Sequence, residues 1–375
     1  MGTEKEPHND DEKAVYATQE TEQDLSTGEC TDFQVSPEAE RRLLWKLDLL
    51  QAAWFIGNCI ANIIGGVVAW GIGNSASGLQ SWRLLFLVLG GITSGYALIL
   101  FFILPDSPAK ASFLSESERT IAVQRTLQNK TGSAAVTEEF LWDQVIDAIL
   151  DPQAWLLILY TFCVNLANGG LTSFSTIIIA GFGYSNFESL LLQMPMGLCQ
   201  LIFLILTALI ATYIRSSRIM SMILNVVVSV IGVVLIYTLD DSQKVVKLVG
   251  LCFVATFAAN IPLSLSIITS NVAGTTKRSM LSVSLFIAYC VGNIVGPQFY
   301  YASQEPVYSS GIEATVCGLV LGVFFLGCLF VYYIWENKRR DRRHGVMNEG
   351  LDVHELVEEQ NRKTDRQIPG FCYTI

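Results

Sequence analysis

The sequence predicts an all-α polytopic membrane protein with about eight transmembrane helices. Three observations predict it. Of 375 residues, 51% are hydrophobic and only 15% are charged, against about 25% charged in a soluble globular domain. The apolar residues fall into blocks near the ~20 residues that a bilayer core needs. The charges lie between those blocks and in two polar ends. The formal net charge of −10 is therefore not a surface average, since much of the acid sits in the first 40 and the last 40 residues. No basic surplus marks a nucleic-acid partner.

In chain order, residues 1–37 are polar and acidic. They hold no apolar stretch of the kind a cleavable signal peptide carries, and their composition predicts a disordered cytosolic tail. Ser36-Pro37-Glu38 then opens a short amphipathic helix over 38–51. Leu43, Leu44, Leu47 and Leu50 share one face, as expected of a helix lying at the membrane surface. Two spans follow at 52–73 and 84–104. In the first, Ala61, Gly65, Ala69 and Gly73 recur every fourth residue and predict a smooth face for a close neighbour. Residues 105–152 form a polar loop, in which Ser115-Glu-Ser-Glu118 is a capping box for a soluble helix.

Six spans make up a unit over 153–336, at 154–179, 190–213, 219–239, 246–270, 280–301 and 314–335, before a tail over 337–375. Breaks are expected at Asn165-Leu-Ala-Asn-Gly-Gly170, at Pro195 and Gly197, and at Pro262. Such breaks are tolerated where the backbone lines protein or a water-filled cavity. Gly292 and Gly296 predict close helix packing.

Eight spans put both termini on one side of the membrane. With the tails and alternate loops in the cytosol, that side carries 21 lysines and arginines against three outside, Arg83, Lys244 and Lys247. The positive-inside rule then makes both termini cytosolic. The sequon Asn129-Lys-Thr131 falls on that side and is expected to stay unmodified.

Little conventional chemistry is visible. Cys59, Cys163, Cys199, Cys252, Cys290, Cys317 and Cys328 lie in apolar runs, and Cys30 and Cys372 lie in the tails, without metal or disulfide spacing. His8, His344 and His354 are all outside the spans. No catalytic triad, metal cluster or phosphate loop argues for an enzyme, and no cofactor is implied. The interiors of the spans hold no Asp, Glu, Lys, Arg or His, the usual markers of an ion pathway. Glu188 and Glu313 stand only at span ends.

Short motifs then recur in order along residues 52–375. Trp82-Arg-Leu-Leu-Phe86 leads to Leu104-Pro-Asp-Ser-Pro108, and Phe113-Leu-Ser-Glu-Ser-Glu-Arg119 follows. Asn168-Gly-Gly170 and Leu192-Gln-Met-Pro195 precede Asn271-Val-Ala-Gly-Thr-Thr-Lys-Arg-Ser279 and Gly292-Asn-Ile-Val-Gly-Pro297. Glu305-Pro-Val-Tyr308, Glu336-Asn-Lys-Arg-Arg-Asp341 and Thr364-Asp-Arg-Gln-Ile-Pro-Gly-Phe371 complete the set. Together they resemble the major facilitator superfamily, and within it the fungal allantoate permease-like, anion:cation symporter branch.

That resemblance implies twelve helices as six plus six. Here Arg41-Arg-Leu-Leu-Trp-Lys-Leu-Asp48 looks like the segment before helix one, yet Phe55-Ile-Gly-Asn58 and Gly65-Gly-Val-Val-Ala-Trp70 look like helix five. The fold expected is thus an incomplete major facilitator fold, two helices of the N-terminal half over 52–104 plus six of the C-terminal half. On that resemblance, helices one to four are missing between Leu50 and Gln51. The resemblance further implies a plasma-membrane transporter of small organic anions, such as allantoate, ureidosuccinate or vitamin-like carboxylates, driven by protons. The family's membrane Asp and Arg would lie in the missing helices, so weak or absent transport by this chain alone is expected. The alternative is a non-transporting splice form or degenerate copy that associates with a full-length relative. A third reading is a product whose full form has all twelve helices.

In a facilitator-type fold the substrate sits at the bilayer midplane between the halves. The polar residues placed to line the C-terminal side are Asn165, Asn168, Gly169, Gly170, Thr172, Gln193, Asn260, Tyr289 and Asn293. The competing reading for each is an interhelical hydrogen bond of about 0.6 kcal/mol. For Asn58, Asn62 and Asn293 that packing reading is the stronger. Lys277 and Arg278, in a turn on the cytosolic face, read as a topology anchor or as a cytosolic gate. Lys338 to Arg343 could touch anionic lipid headgroups.

Overall fold

The computed structural model describes residues 37–75, 78–103, 140–214, 217–240, 242–305, 308–344, 363–368, 371 and 373–374, and the side chains from Trp54 onward. The acidic N-terminal tail, the Ser115 capping box, the Asn129 sequon, Cys30, Cys372, His8 and His354 lie outside the described residues. Every regular element among those described is helical: α1 Pro37–Gly73, α2 Ser81–Ile103, α3 Trp142–Ile149, α4 Pro152–Gly181, α5 Asn186–Leu191, α6 Met194–Tyr213, α7 Arg218–Thr238, α8 Lys244–Val254, α9 Asn260–Asn271, α10 Thr275–Val295 and α11 Ser309–His344. Among the described residues, eight helical stretches are long and apolar enough to cross a membrane, as the sequence predicts.

Several boundaries differ from expectation. The segment 38–51 is not set off from the first span, because α1 runs unbroken through Leu50 and Gln51. The last helix continues past Trp335 to His344, so the basic stretch Lys338–Arg343 is still helix. The break expected at Asn165–Gly170 is also absent: α4 is continuous over 30 residues. Its glycines serve close approach instead. A Cβ at Gly169 would stand 2.6 Å from the Asn293 carbonyl oxygen of α10, and one at Gly170 would strike the Tyr300 ring.

The other two breaks are present. α5 and α6 are separated by a turn at Leu192 and Gln193, and Pro195 occupies the first turn of α6, where its missing N–H costs nothing. Pro262 has no N–H to give and crowds the preceding turn. The chain there tightens into a 3₁₀ segment, Ala255–Ala259, between α8 and α9.

α4 is the central post of the six-helix unit, with α10 on one side and α11 on another. Glycines face its backbone from both. A Cβ at Gly292 would lie 2.8 Å from the Phe162 carbonyl oxygen, one at Gly318 2.5 Å from that of Cys163, and one at Gly296 closer still to that of Leu166. Gly232 of α7 and Gly250 of α8 meet the same way. In a bilayer, where helix association lacks a hydrophobic drive, such contact is the main source of packing energy.

Inside the unit a polar seam is closed on itself. Asn260 donates to Tyr160 Oη (3.0 Å) and to the Met222 carbonyl (2.9 Å), and accepts from Asn225 Nδ2 (2.8 Å). Asn225 also donates to Thr207 Oγ1 (2.9 Å), while Ser229 and Thr256 share a bond of 2.9 Å.

The N-terminal pair is held differently. α1 packs on α6 and buries Phe55 and Cys59, whereas no residue of α2 is buried. Of the expected Ala61, Gly65, Ala69 and Gly73 face, Gly65 is open while Gly73 meets the Phe187 ring. Gly66, on the next face, meets the Leu190 carbonyl at 2.6 Å. Asn62 Nδ2 donates to Gln200 Oε1 (3.2 Å), and Gln200 Nε2 to Asn58 Oδ1 (3.4 Å), so both asparagines are packing groups.

Gly292→Val and Gly296→Val should each cost at least about 1–3 kcal/mol through overpacking, read as a lower unfolding midpoint in detergent. Gly90→Val on α2, where a Cβ meets nothing within 4 Å, should leave the midpoint unchanged. Equal effects from the two sets would refute the close-contact account.

Candidate functional site

Three of the candidate residues come together where α4 meets α10. Asn168 Nδ2 donates to Asn293 Oδ1 at 2.7 Å, and Asn293 Nδ2 donates to Asn165 Oδ1 at 3.2 Å. Asn293 also reaches the Tyr289 carbonyl at 2.8 Å, and Asn165 the Thr161 carbonyl at 2.7 Å. Thr172 turns its hydroxyl back to the Asn168 carbonyl at 2.9 Å. Asn165 is buried, while Asn168, Tyr289 and Asn293 are half-buried and Thr172 is exposed. The glycine contacts at Gly169 and Gly292 bring the two backbones close enough for these short amides to meet.

Gly170 has a separate task. It and Gly311 of α11 press on opposite parts of the Tyr300 ring. Phe174 stacks on that ring at 4.6 Å and Thr315 shares a 3.1 Å hydrogen bond with its hydroxyl. Gln193 lies elsewhere, donating to Thr176 Oγ1. Asn260 is only 1% exposed and every polar atom of its amide is engaged in the seam. In this conformation it holds helices and lines no opening.

Lys277 and Arg278 part company. Arg278 folds back to cap α9, donating from Nε and Nη2 to the Val272 carbonyl at 3.1 and 3.0 Å. Lys277 is fully buried, its Nζ 2.6 Å from Asp151, 2.7 Å from Asp365 and 2.9 Å from Asp147. Gly274, at φ +91°, makes the turn that brings it there, and Gln144 of α3 accepts from the Thr276 and Lys277 amides at 3.0 and 3.2 Å. Lys277 is thus not a solvated topology anchor.

The rest of the cluster was missed by sequence reasoning. Asp151 caps α4 through the Gln153 amide at 3.1 Å. Gln153 Nε2 bridges Asp151 (2.8 Å) and Asp365 (3.0 Å), and Tyr333 donates to its carbonyl at 3.1 Å. Tyr373 donates to Asp365 Oδ2 at 2.7 Å, and Arg340 donates to Tyr373 Oη at 2.9 Å and to the Asp365 carbonyl at 2.8 Å. Arg366 reaches Asp147 at 3.2 Å. The available signals were Asp151-Pro152, a helix-start pattern, and the tail motif beginning Thr364-Asp365. Only pairing across more than 80 positions revealed their meeting.

Burial pushes the Asp365 carboxyl above the ordinary aspartate range; Lys277 pulls it back, and the Asp151 carboxylate adds to the push. The docked segment therefore binds a proton more tightly at Asp365 than a released one. That contribution is complete below the ordinary aspartate value and is lost as pH rises through the raised one. The unfolding midpoint should accordingly fall as pH rises across that window, and Asp365→Asn should flatten the slope. Lys277→Met, which strands two buried carboxylates, should cost about 3–5 kcal/mol. A midpoint within error of wild type would contradict the burial described.

Comparison with known proteins agrees with this architecture. The sequence profile of the Major Facilitator Superfamily matches residues 46–297. The uncharacterized transporter C757.13 of Schizosaccharomyces pombe is 36% identical over 322 residues, covering 85% of this chain and 60% of that protein. The allantoate permease of Saccharomyces cerevisiae is 31% identical, covering 86% of this chain and 60% of the permease. The thiamine pathway transporter THI73 of the same yeast is 28% identical, covering 80% and 57%. The chain spans about 60% of the length of these curated relatives. On the extent of the profile match and these identities, the chain is an integral, multi-pass membrane protein that belongs to the Major Facilitator Superfamily.

Proposed function

We propose that this chain carries one binding half of a transporter for small organic anions of the allantoate or vitamin-carboxylate type. Its site is the face built by Asn165, Asn168 and Asn293. The observation that supports this most is the amide chain itself, half-buried where two helices of the six-helix unit meet. Amides can hold a carboxylate by hydrogen bonding without a fixed charge, which suits spans whose interiors carry no Asp, Glu, Lys, Arg or His. Protons are the proposed coupling ion and the plasma membrane the proposed location, with both termini in the cytosol.

Coupled transport needs two halves rocking about a midplane site. Among the described residues α1 and α2 stand for the other half, so the chain alone binds without catalysing uptake. Purified chain in liposomes under an inward proton gradient should show no allantoate uptake above empty vesicles. Allantoate or ureidosuccinate should nonetheless raise its unfolding midpoint, and Asn168→Ala should abolish that rise. Proton-driven uptake would overturn the half-site reading; no stabilisation by any small carboxylate would overturn the site.

A second reading is favoured by α2, none of whose residues is buried, and by Gly57, Gly65, Gly90, Gly91 and Gly95, where an added Cβ meets nothing within 4 Å. On it, these faces receive helices from a full-length relative. Co-purification of tagged chain with such a relative, lost on Gly91→Leu, distinguishes it; a chain that purifies alone counts against it.

A further inference from the structure

We infer that residues 363–368, Phe371, Tyr373 and Thr374 form a latch, and that Lys277 is the positioning residue through which the latch acts on the asparagine cluster. The argument begins with what one ammonium joins. Asp151 opens α4, Lys277 lies in the first turn of α10, and Asp365 comes from the C-terminal segment; all three are fully buried. α4 and α10 therefore leave a common clamp side by side. Asn168 lies 17 residues beyond Asp151 and Asn293 lies 16 beyond Lys277. At 1.5 Å per helical residue, each asparagine is on the order of 25 Å from the clamp. The register that lets Asn168 reach Asn293 at 2.7 Å is the register set at the clamped end.

The segment touches many of the helix ends beside that clamp. Arg366 pairs with Asp147 of α3, and Asp365 accepts from Gln153 of α4. Thr374 exchanges hydrogen bonds with Asn271 of α9, at 2.7 and 2.8 Å, and its hydroxyl lies 3.4 Å from Arg218 of α7. Tyr373 exchanges bonds with Asn337 of α11 at 2.9 Å each and stacks on Tyr333 at 5.0 Å. These attachments surround one charge, with Ile368 and Tyr373 buried beside it, and the segment comes free as a unit once that charge is unpaired. Release removes the tie through Asp365 and leaves α4 and α10 joined by the Lys277–Asp151 pair, the asparagine amides and the glycine contacts, so the spacing at Asn293 is freer to change. Only this last step rests on reading the asparagines as a binding site.

The test uses the full chain in nanodiscs, comparing wild type, Lys277→Met, Lys277→Arg, Asp365→Leu and a form ending at residue 362. Asp365→Leu removes the oxygens that accept from Lys277, Gln153 and Tyr373. Two readouts are followed, tryptic cleavage after Lys363 and Arg366, and hydrogen exchange across residues 286–296. Lys277→Met and Asp365→Leu should be cleaved at least about tenfold faster. Lys277→Arg should restore protection, which a loss of packing alone would not. All released forms, the shortened chain included, should exchange faster across 286–296. If cleavage in Lys277→Met and Asp365→Leu matches wild type, there is no latch. If the segment is released and exchange across 286–296 is unchanged, it does not act on the site. Should Lys277→Met fail to fold, Asp365→Leu and the shortened chain decide the matter. Neither readout uses a substrate, so failure here is separable from failure of anion binding.

Discussion

The arrangement of the six-helix unit depends on one buried ammonium. Lys277 lies where two helices start and the C-terminal segment returns, 2.6–2.9 Å from three carboxylates. A lone charge there would face a desolvation penalty of several kcal/mol, and the pairing offsets it only if the remaining donors and acceptors are also met. They are met by Gln153 of α4, Tyr373 of the C-terminal segment, and Tyr333 and Arg340 of α11. The geometry thus ties the sign of one charge to the placement of four helices and a tail. Such a cluster contributes less to net stability than to uniqueness, because few other arrangements satisfy every member.

The membrane interior imposes the same accounting with neutral groups. The seam of Asn260, Asn225, Tyr160, Thr207, Ser229 and Thr256 is closed within five elements. Around it, glycines let helix backbones come within contact of one another. The two devices reinforce each other. Short side chains such as Asn and Thr can bridge helices only if the helices are close, and helices this close leave no room for longer ones. Asn165, Asn168 and Asn293 sit at one such close approach, between Gly169 and Gly292.

The spans and their number were legible in the sequence because hydropathy and length are local properties. Two of the three expected breaks were legible for the same reason: proline at 195 and 262 carries its constraint with it. Gly169 and Gly170 misled, since a glycine pair reads equally as a weak point or as a contact surface, and only the neighbour decides. Asn293, read first as packing, does pack, but against the very residues taken as site candidates. The cluster at Lys277 was not legible. Asp365 is 88 positions away from Lys277 and Asp147 is 130 away, and nothing local distinguishes a tail that docks from one that does not.

The unequal halves follow from the same physics. The six-helix unit is stiff within, through its clamp, its seam and its glycine contacts. Its junction with α1 is built differently. The amides of Asn58, Asn62 and Gln200 meet at 3.2–3.4 Å, long for hydrogen bonds, and such interhelical bonds contribute only about 0.6 kcal/mol each in a membrane. Gly66 and Gly197 add close contacts, and Phe55 and Cys59 are buried there. The short, directed polar ties are therefore concentrated within the six-helix unit, while α1 is held to it mainly by packing.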